Sequence, residues 1–467
     1  MSSSTAGTGP VASPLATRTQ QPLLALLIRL HLYVGLLVGP FIFVAALSGL
    51  VYALTPQIEE QIYANQLYTE STGTPLPLAR QIEVAQDHIG ETAILSAVRP
   101  APQPGTTTRV MFRAPEPGAS ESHAVFVDPV TAEIRGDLLV YGTSGVLPLR
   151  TWLDHFHRSL LLGEPGRLYS ELAASWLWVA ALGGFALWLI RRRRQGSARS
   201  PGLRRWHATL GLWLLVGLLF FSATGLTWSR WAGDNIGVAR AALGMSTPSV
   251  STALHGGEPA AAAGEHAHHA GMAMPQDQPD EPVRHRELFD AVLSAARDAG
   301  IDADKLEIVP ASGPDRAWTV TEIDRSWPTQ VDAVAVDPRT MSITDRTDFT
   351  TFPLAAKLTR WGIDAHMGSL FGLANQLLLA VTALGLAFLV AFGYLMWWRR
   401  RAPVRRLSLL QALGSLPPKT LAITVLIAVL FGICLPVLGA SLLMFLLGEA
   451  VLDGLTRLRR ARVRQPG

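Results

Sequence analysis

Long apolar runs alternate with polar segments along the chain. Four runs stay apolar over the roughly 20 residues that a helix needs to cross a bilayer, and they cover 32–54, 172–190, 210–228 and 376–398. The first run is too long for a secretory signal peptide, and no small-residue cleavage site follows it. The pattern therefore predicts a polytopic α-helical membrane protein whose core is a bundle of four spans.

A fifth apolar tract, 421–452, permits two interpretations. It carries Pro436 near its middle, and a basic tail follows it. A single membrane helix would place that tail outside, whereas a hairpin of two short helices would keep it inside, as the positive-inside tendency prefers. We favour the hairpin and keep the single helix as the alternative.

Two polar segments between the spans carry a helical pattern followed by the alternation typical of strands. In the first segment, 78–88 is helix-like, and the alternating stretches are 94–98, 108–113 and 124–127. In the second, the corresponding stretches are 286–299, 306–309, 317–323 and 331–336. The two segments therefore predict two small exterior α+β domains of one design.

Equal spacings show that the chain is a tandem repeat. A glycine follows His31 and His207 at the same distance, since 49 − 31 = 18 and 225 − 207 = 18. A histidine likewise follows two Asp-Pro turns, since 157 − 128 = 29 and 366 − 337 = 29. The second copy is longer, because (337 − 207) − (128 − 31) = 33, and the excess falls in the low-complexity linker 247–282. A duplication explains these agreements.

Basic loops set the predicted orientation. Seven arginines and no acidic residue lie in 191–205, and five arginines and a lysine lie in 399–419. Such loops mark the cytoplasmic side. The net charge of +4 therefore reflects topology and does not indicate a nucleic-acid partner, while 49% hydrophobic residues fit a chain embedded in membrane lipid. We predict a multi-pass protein of the bacterial inner membrane.

These patterns divide the chain into consecutive segments. They are a cytoplasmic tail (1–22), the first span (23–54), the first exterior domain (55–155), the second span (156–190), a cytoplasmic basic loop (191–206), the third span (207–229), the second exterior domain with its linker (230–365), the fourth span (366–398), a cytoplasmic loop (399–420), the C-terminal helix or hairpin (421–452) and a basic tail (453–467). The exterior domains thus face the periplasm.

Four histidines occupy equivalent positions, His31 with His207 and His157 with His366. The predicted topology places one pair near each face of the membrane. Two imidazoles on facing helices can supply the two axial ligands of a haem, so we expect two haems b. His155 would point about 200° away from His157 and is not an expected ligand. A proton relay or ion path, or no cofactor, are the alternatives.

Small residues beside these histidines would give a porphyrin room. Gly35 follows His31 by four positions and Gly49 by 18, about five turns, so both share its helix face. Gly211 and Gly225 repeat the arrangement in the second copy. We therefore predict that all four glycines border the cofactors, although helix packing is an ordinary reason for glycine in a membrane helix.

The linker also carries metal-binding residue types. They are His266, His268, His269, Met272 and Met274. Flexible tracts of this composition often bind copper or iron weakly. A solvated spacer without bound metal is the alternative.

Several motifs resemble those of the PepSY-associated transmembrane family, which includes iron-regulated inner-membrane proteins and ferric-siderophore reductases. The matching motifs are RLH at 29–31, HRSLLLG at 157–163, RWH at 205–207, HMG at 366–368 and the Asp-Pro turns at 128–129 and 337–338. The resemblance covers roughly 25–400. It implies that His31 and His207 hold an inner haem, that His157 and His366 hold an outer one, and that a periplasmic ferric chelate is reduced.

Other points of function stay open at the level of sequence. The His/Met linker is not part of the family pattern, which leaves copper as an alternative metal. No Gly-rich dinucleotide motif follows a predicted strand, so the electron donor would be a separate cytoplasmic molecule or a quinol. A membrane-anchored binding or sensor module is the chief rival. A metal-transporter subunit is disfavoured because the spans contain few carboxylates.

Overall fold

The structure, a computed structural model, describes residues 14–113, 121–142, 144–195, 202–254, 285–399 and 408–463. The chain folds into two compact units. The first unit comprises residues 1–47, 164–235 and 382–467, and the second comprises 48–163 and 236–381.

Helices dominate the first unit and also occur in the second. In chain order they are α1 (Pro14–Tyr33), α2 (Gly39–Ala53), α3 (Thr55–Ile62), α4 (Ala64–Leu67), α5 (Leu78–Ile89), α6 (Pro148–Ser159), α7 (Gly163–Gln195), α8 (Gly202–Trp213), α9 (Leu215–Thr227), α10 (Trp231–Ala242), α11 (Leu288–Asp298), α12 (Leu354–His366), α13 (Leu373–Trp398), α14 (Leu409–Gly414), α15 (Pro418–Cys434) and α16 (Pro436–Val463). A π-helical turn, Val34–Val38, joins α1 to α2.

Membrane-spanning helices are present as predicted. Within the described residues, four are long and apolar enough to cross a bilayer, and they cover Pro22–Ala53, Gly163–Arg193, Leu373–Trp398 and Pro436–Leu455. The protein is therefore a multi-pass helical membrane protein. α8 and α9 pass the same test only together, because they have only 12 and 13 residues, and they are bent by 61° where they meet. The predicted third span is bent rather than straight.

Close helix packing accompanies this bend. A Cβ added to Gly217 of α9 would lie 2.7 Å from Thr382 Cγ2 of α13. One added to Gly385 of α13 would lie 2.5 Å from a methyl carbon of Leu214, the residue at the bend. Glycine at both positions lets α9 and α13 approach closely, which is how small residues commonly serve membrane helices.

The fifth apolar tract is divided into two helices. α15 ends at Cys434 and α16 begins at Pro436, where a missing backbone N–H costs no hydrogen bond. The two helices pack against each other so closely that a Cβ added to Gly439 would lie 2.8 Å from both Cα and O of Gly432. The tract has the packed helix pair that a hairpin requires, and its topology in the membrane stays a prediction.

One antiparallel sheet forms the centre of the second unit. Its strands are β1 (Leu95–Arg99), β2 (Thr108–Arg113), β3 (Glu121–Val127), β4 (Ile134–Tyr141), β5 (Leu306–Val309), β6 (Trp318–Glu322), β7 (Ala333–Val336) and β8 (Ile343–Thr347). Their order is β4-β3-β2-β1-β5-β6-β7-β8. Each half is a meander of four strands, and β1 pairs with β5 through Val98 and Ile308. The strands of the two predicted α+β segments pair edge to edge in this one sheet.

Helices α5 and α11 cover this sheet and share its core. α5 buries Leu78, Ile82 and Ala85, whose spacing of four and three positions forms one helix stripe. α11 buries Phe289 and Val292 in the same hydrophobic cluster. Both halves of the sheet contribute to this cluster, so the two exterior segments are one folded body.

Candidate functional site

The first histidine pair lies within the first unit. The ring centroids of His31 and His207 are 6.3 Å apart, and the ring planes are inclined by 81°. His31 lies in the last turn of α1, directly before the π-helical turn, while His207 lies on α8. Short π-helical segments occur frequently at functional sites. The structure thus brings together two residues that are 176 positions apart, since 207 − 31 = 176.

Backbone carbonyls orient both rings of the first pair. Nδ1 of His31 lies 3.1 Å from the carbonyl oxygen of Ala180, and Nδ1 of His207 lies 3.0 Å from that of Leu389. A carbonyl only accepts hydrogen bonds, so each Nδ1 carries the proton and donates it. Nε2 of each neutral ring then keeps a free lone pair. This is the form in which a histidine binds a metal.

The two carbonyl acceptors occupy equivalent positions of the repeat. Ala180 follows the second histidine of its copy by 180 − 157 = 23 positions, and Leu389 follows its own by 389 − 366 = 23. The sequence interpretation missed both residues, because a backbone carbonyl leaves no trace in residue type. Their equal offset was the only available signal.

Two further glycines make room for the rings of the first pair. A Cβ added to Gly184 would lie 3.1 Å from Cε1 of His31, and one added to Gly393 would lie 3.9 Å from Cε1 of His207. These glycines are also repeat equivalents, since 184 − 157 = 27 and 393 − 366 = 27. They lie on the helices that also supply the carbonyls, so α7 and α13 shape the site more than the predicted glycines do.

The four predicted glycines have different surroundings. Gly49 lies against the ring of His157, where an added Cβ would be 3.1 Å from Cε1. Gly35 has no atom within 4 Å of an added Cβ, so it borders open space. An added Cβ on Gly211 would make an ordinary contact with a leucine at 3.7 Å, whereas one on Gly225 would press against an alanine at 3.2 Å, so Gly225 serves close helix packing. Contact with a cofactor stays a prediction for these glycines.

The second histidine pair lies within the second unit. The ring centroids of His157 and His366 are 6.5 Å apart, with the planes inclined by 51°. We predicted that these residues begin the second and fourth spans. Instead they lie at the ends of α6 and α12, and a short turn separates each from the span helix that follows. Gly163 and Gly372 take positive φ values of 63° and 55° in these two turns.

The end of α2 supports His157. The hydroxyl oxygen of Ser48 lies 2.9 Å from Nδ1 of His157, and the neighbouring Gly49 leaves space for the ring. Ser48 is buried, so the hydroxyl is a fixed partner. If Nδ1 donates to it, the lone pair of the neutral His157 ring lies on Nε2.

His155 is directed elsewhere, in agreement with the predicted geometry. Its ring packs edge-on against Tyr141, with centroids 5.0 Å apart. Burial and the nearby Arg158 guanidinium lower the pKa of His155, which favours its neutral form. The residue therefore packs with the sheet and the end of α6 and is not a second ligand.

Three partly buried arginines lie at the end of α12, which carries His366. Asp364, on the same helix as His366, accepts from Arg325 at 3.1 Å and forms an ion pair with Arg360 at 2.6 Å. Arg150 donates to the backbone carbonyl that follows His366, at 2.7 Å. Two of these guanidinium groups therefore pair with one carboxylate, and the third binds a backbone carbonyl. The sequence interpretation missed this cluster, and only the four-residue spacing of Arg360 and Asp364 indicated a pair.

The ligand sets suit a cofactor that brings its own equatorial donors. In the described part of the chain, no group of three or more His, Cys, Asp or Glu side chains could hold a metal ion. A haem would need only two imidazoles from the chain, and the separations of 6.3 and 6.5 Å between ring centroids would leave room for one metal ion within each pair.

The predicted metal ligands of the linker cannot be placed. His266, His268, His269, Met272 and Met274 lie outside the described residues. Weak binding of copper or iron there stays a prediction.

Comparison with known proteins identifies the family. No curated protein matches the chain. A family model, the PepSY-associated TM region, matches residues 28–400. The match includes both histidine pairs and the exterior sheet but excludes α14, α15 and α16. Since it covers well over half of the chain, the protein belongs to the family of the PepSY-associated TM region.

Proposed function

We propose that the protein is a di-haem b electron-transfer protein of the bacterial inner membrane that reduces a periplasmic ferric chelate. His31 and His207 would hold the inner haem, and His157 and His366 the outer one. Each haem supplies one-electron chemistry between ferric and ferrous iron. The observation that carries the proposal is the matching separation of the two histidine pairs, 6.3 and 6.5 Å.

The protein's own groups prepare the ligands. Carbonyls of Ala180 and Leu389 hold the first two rings in one tautomer and raise the basicity of the free nitrogen. The hydroxyl of Ser48 orients the ring of His157 through its contact with Nδ1. Ligands that are oriented before binding hold a cofactor more tightly, because less freedom is lost on binding.

Arginines at the end of α12, beside His366, favour anionic partners. Guanidinium groups of Arg150, Arg325 and Arg360 could pair with haem propionates or with an anionic chelate, since arginine binds carboxylates through two parallel hydrogen bonds. Reduction of the chelated iron weakens its bonds to the hard oxygen atoms of the chelate, because Fe(II) carries less charge than Fe(III). The substrate would then release its iron on the periplasmic side. The His/Met linker favours a cupric chelate as the second candidate.

The test is a reduced-minus-oxidised absorption spectrum of the detergent-purified protein, with haem measured per chain. We expect about two b-type haems, one for each of the two histidine pairs. His31→Ala and His157→Ala should each remove one haem, whereas the neighbouring control His155→Ala should retain both. A protein that stays colourless after expression with ample haem contradicts the proposal and favours a binding module. Ferric and cupric chelates can then be compared as substrates of the haem-loaded protein.

A further inference from the structure

Two short helices of the second unit expose apolar side chains along one face. On α6, Trp152 is 52% exposed, and its ring stacks on that of Phe156 with centroids 5.7 Å apart. On α12, Leu354 and Leu358 are 69% and 56% exposed. In both helices the two residues are four positions apart and therefore share a helix face. Each helix thus presents an apolar stripe on the surface of the unit.

Other side chains of the same helices fix them in the fold. Leu153 of α6 is buried, and α6 packs against α3 and β4. On α12, Ala356 is buried in a hydrophobic cluster with Phe349 and Phe352, and Asp364 is buried with its arginine partners. The exposed stripes are therefore the outer faces of helices that are already packed on another side.

The turns that follow the two helices also expose apolar residues. Leu162 and Phe371 occupy equivalent positions of the repeat, since 162 − 157 = 5 and 371 − 366 = 5, and both are exposed. Leu161 and Phe371 take positive φ values of 60° and 58°, which are unfavourable for bulky residues. The N–H of Phe371 donates to the carbonyl oxygen of Ser326 at 2.9 Å and holds this conformation. Strained residues persist mainly where they serve a function.

The chain connects this surface directly to a membrane span. Phe371 precedes Leu373, the first residue of α13, by two positions, and two residues reach at most about 7 Å. The 26 residues of α13 form a helix of about 39 Å, close to the thickness of about 40–45 Å of a bilayer with its headgroups. Leu373 therefore lies at the level of the headgroups, and Phe371 lies beside it. Exposed side chains continue into the span at Leu377 and Leu378.

We propose that α6 and α12 are interfacial helices, whose exposed stripes lie among the lipid headgroups of the leaflet on the side of the exterior sheet. Lipid is the occupant because the turn after α12 is continuous with the lipid-facing surface of α13. Trp327 supports this assignment, since it is exposed and its ring packs edge-on against Phe371 at 6.1 Å between centroids. Tryptophan is enriched at membrane–water interfaces, and amphipathic helices lie in their plane.

This placement fixes the depth of the second histidine pair. His157 lies in the last turn of α6, and His366 is the last residue of α12. Helices that rest in the headgroup region hold both rings at the boundary between membrane and water. The inference concerns the chain and the lipid alone and does not rest on the proposed function.

Spin-label accessibility measures the depth of the two helices. Trp152→Cys and Leu358→Cys are made separately in the full-length Cys434→Ser protein, labelled with a nitroxide and placed in phosphatidylcholine nanodiscs at one chain per disc. Thr92→Cys, in an exposed turn, is the aqueous reference, and Leu378→Cys, on α13, is the membrane reference. We expect both test positions to be about threefold less accessible to nickel–EDDA than Thr92→Cys, and about twofold more accessible to oxygen.

The accessibilities decide the assignment. Nickel accessibility equal to that of Thr92→Cys at both test positions would overturn it, because the stripes would then face water. Labels shielded from both reagents would also overturn it, because a protein surface would then cover them. A gel-filtration profile equal to that of the Cys434→Ser protein shows that the labelled variants are folded.

Photocrosslinking identifies the occupant directly. p-Benzoylphenylalanine replaces Leu358 or Leu162 in the full-length protein, which is irradiated in native membranes and analysed by mass spectrometry. We expect adducts with the mass of a phospholipid at both positions and none at Thr92. Adducts with a second copy of the chain or with another protein, in place of lipid, would overturn the proposal. A colourless protein whose stripes lie in lipid overturns the proposed function and leaves this inference intact, whereas a haem-loaded protein with water-exposed stripes does the reverse.

Discussion

At the scale of single residues, the first histidine pair depends on groups that a side-chain substitution cannot easily remove. The acceptors of His31 and His207 are backbone carbonyls on α7 and α13, so no mutation deletes them without moving a helix. The vulnerable position is instead Gly184, whose missing side chain gives His31 its space. A ring that is displaced from its carbonyl loses the orientation on which metal binding depends.

This reasoning predicts that Gly184→Val removes the inner haem. The first added carbon would already lie 3.1 Å from Cε1 of His31, and the two methyl groups need still more room. Haem content should fall by about half, since one of two sites is lost. Gly454→Val is the control, because no atom lies within 4 Å of an added Cβ there and the residue is not a predicted neighbour of either haem. Equal haem loss in both variants, measured by absorption per chain, would contradict the proposed geometry.

A second residue-scale case is Asp128 in the exterior sheet. Burial alone would raise the pKa of its carboxyl, but hydrogen bonds from Thr69, Ser71, Val130 N–H and Thr131 N–H outweigh it and lower the pKa to about 2. The folded state therefore favours the charged form. The resulting stability is fully present above the unfolded pKa of about 3.9 and is lost as pH falls through about 2.

Asp128→Asn should accordingly destabilise the protein by about 2 kcal/mol at pH 7, with a smaller difference from wild type at pH 3. Its repeat equivalent Asp337 is the control. Asp337 accepts from Arg339 N–H at 2.9 Å and is partly exposed, so Asp337→Asn should cost less than about 1 kcal/mol. Chemical denaturation at both pH values measures the difference. A constant gap between wild type and Asp128→Asn would show that the charge is not the cause.

At the scale of elements, the C-terminal helix pair depends on a backbone contact. α15 and α16 meet at Gly432 and Gly439, where an added Cβ on Gly439 would touch backbone atoms that cannot rotate away. Side chains there would separate the helices.

Gly439→Val should therefore lower stability by about 1–3 kcal/mol through overpacking. Gly454→Val on the same helix is the matched control, because its added Cβ meets no atom within 4 Å. Thermal unfolding of the two proteins in one detergent compares them directly. A melting temperature equally unchanged in both would mean that α15 and α16 are not held together at this contact.

The elements also show what periodicity can and cannot predict. The pattern at 78–88 corresponds to α5, Leu78–Ile89, because one apolar stripe faces a core. β8 was not predicted, because this edge strand, Ile343–Thr347, is partly exposed along its whole length and carries no apolar alternation. The pairing of β1 with β5 depends on a contact between distant segments, which spacing within one segment cannot indicate.

For the site, repetition was informative where composition was not. His31, His207, His157 and His366 were found from equal spacings, and the structure brings them together in the expected pairs. The partners of the rings were missed, because they are backbone groups and glycines on neighbouring helices. Their positions follow from helix packing, which a single sequence does not encode locally.

At the scale of the whole molecule, the direction of electron flow depends on which side of the membrane the sheet faces. The two arginine-rich loops predict that the exterior sheet is periplasmic and that the segment between α14 and α15 is cytoplasmic. With a periplasmic sheet, the first histidine pair lies on the side of the basic loops. Electrons would then move outwards to the chelate.

Cysteine labelling tests this orientation, because the chain has one cysteine, Cys434. In a Cys434→Ser background, Thr92→Cys places a thiol after α5, and Ser415→Cys places one between α14 and α15; both positions are exposed. A membrane-impermeant maleimide added to cells with a permeabilised outer membrane should label Thr92→Cys only. Ser415→Cys should react only once the inner membrane is opened. The reverse labelling pattern would show that the sheet faces the cytoplasm. Reduction of a periplasmic chelate at the second histidine pair would then be excluded.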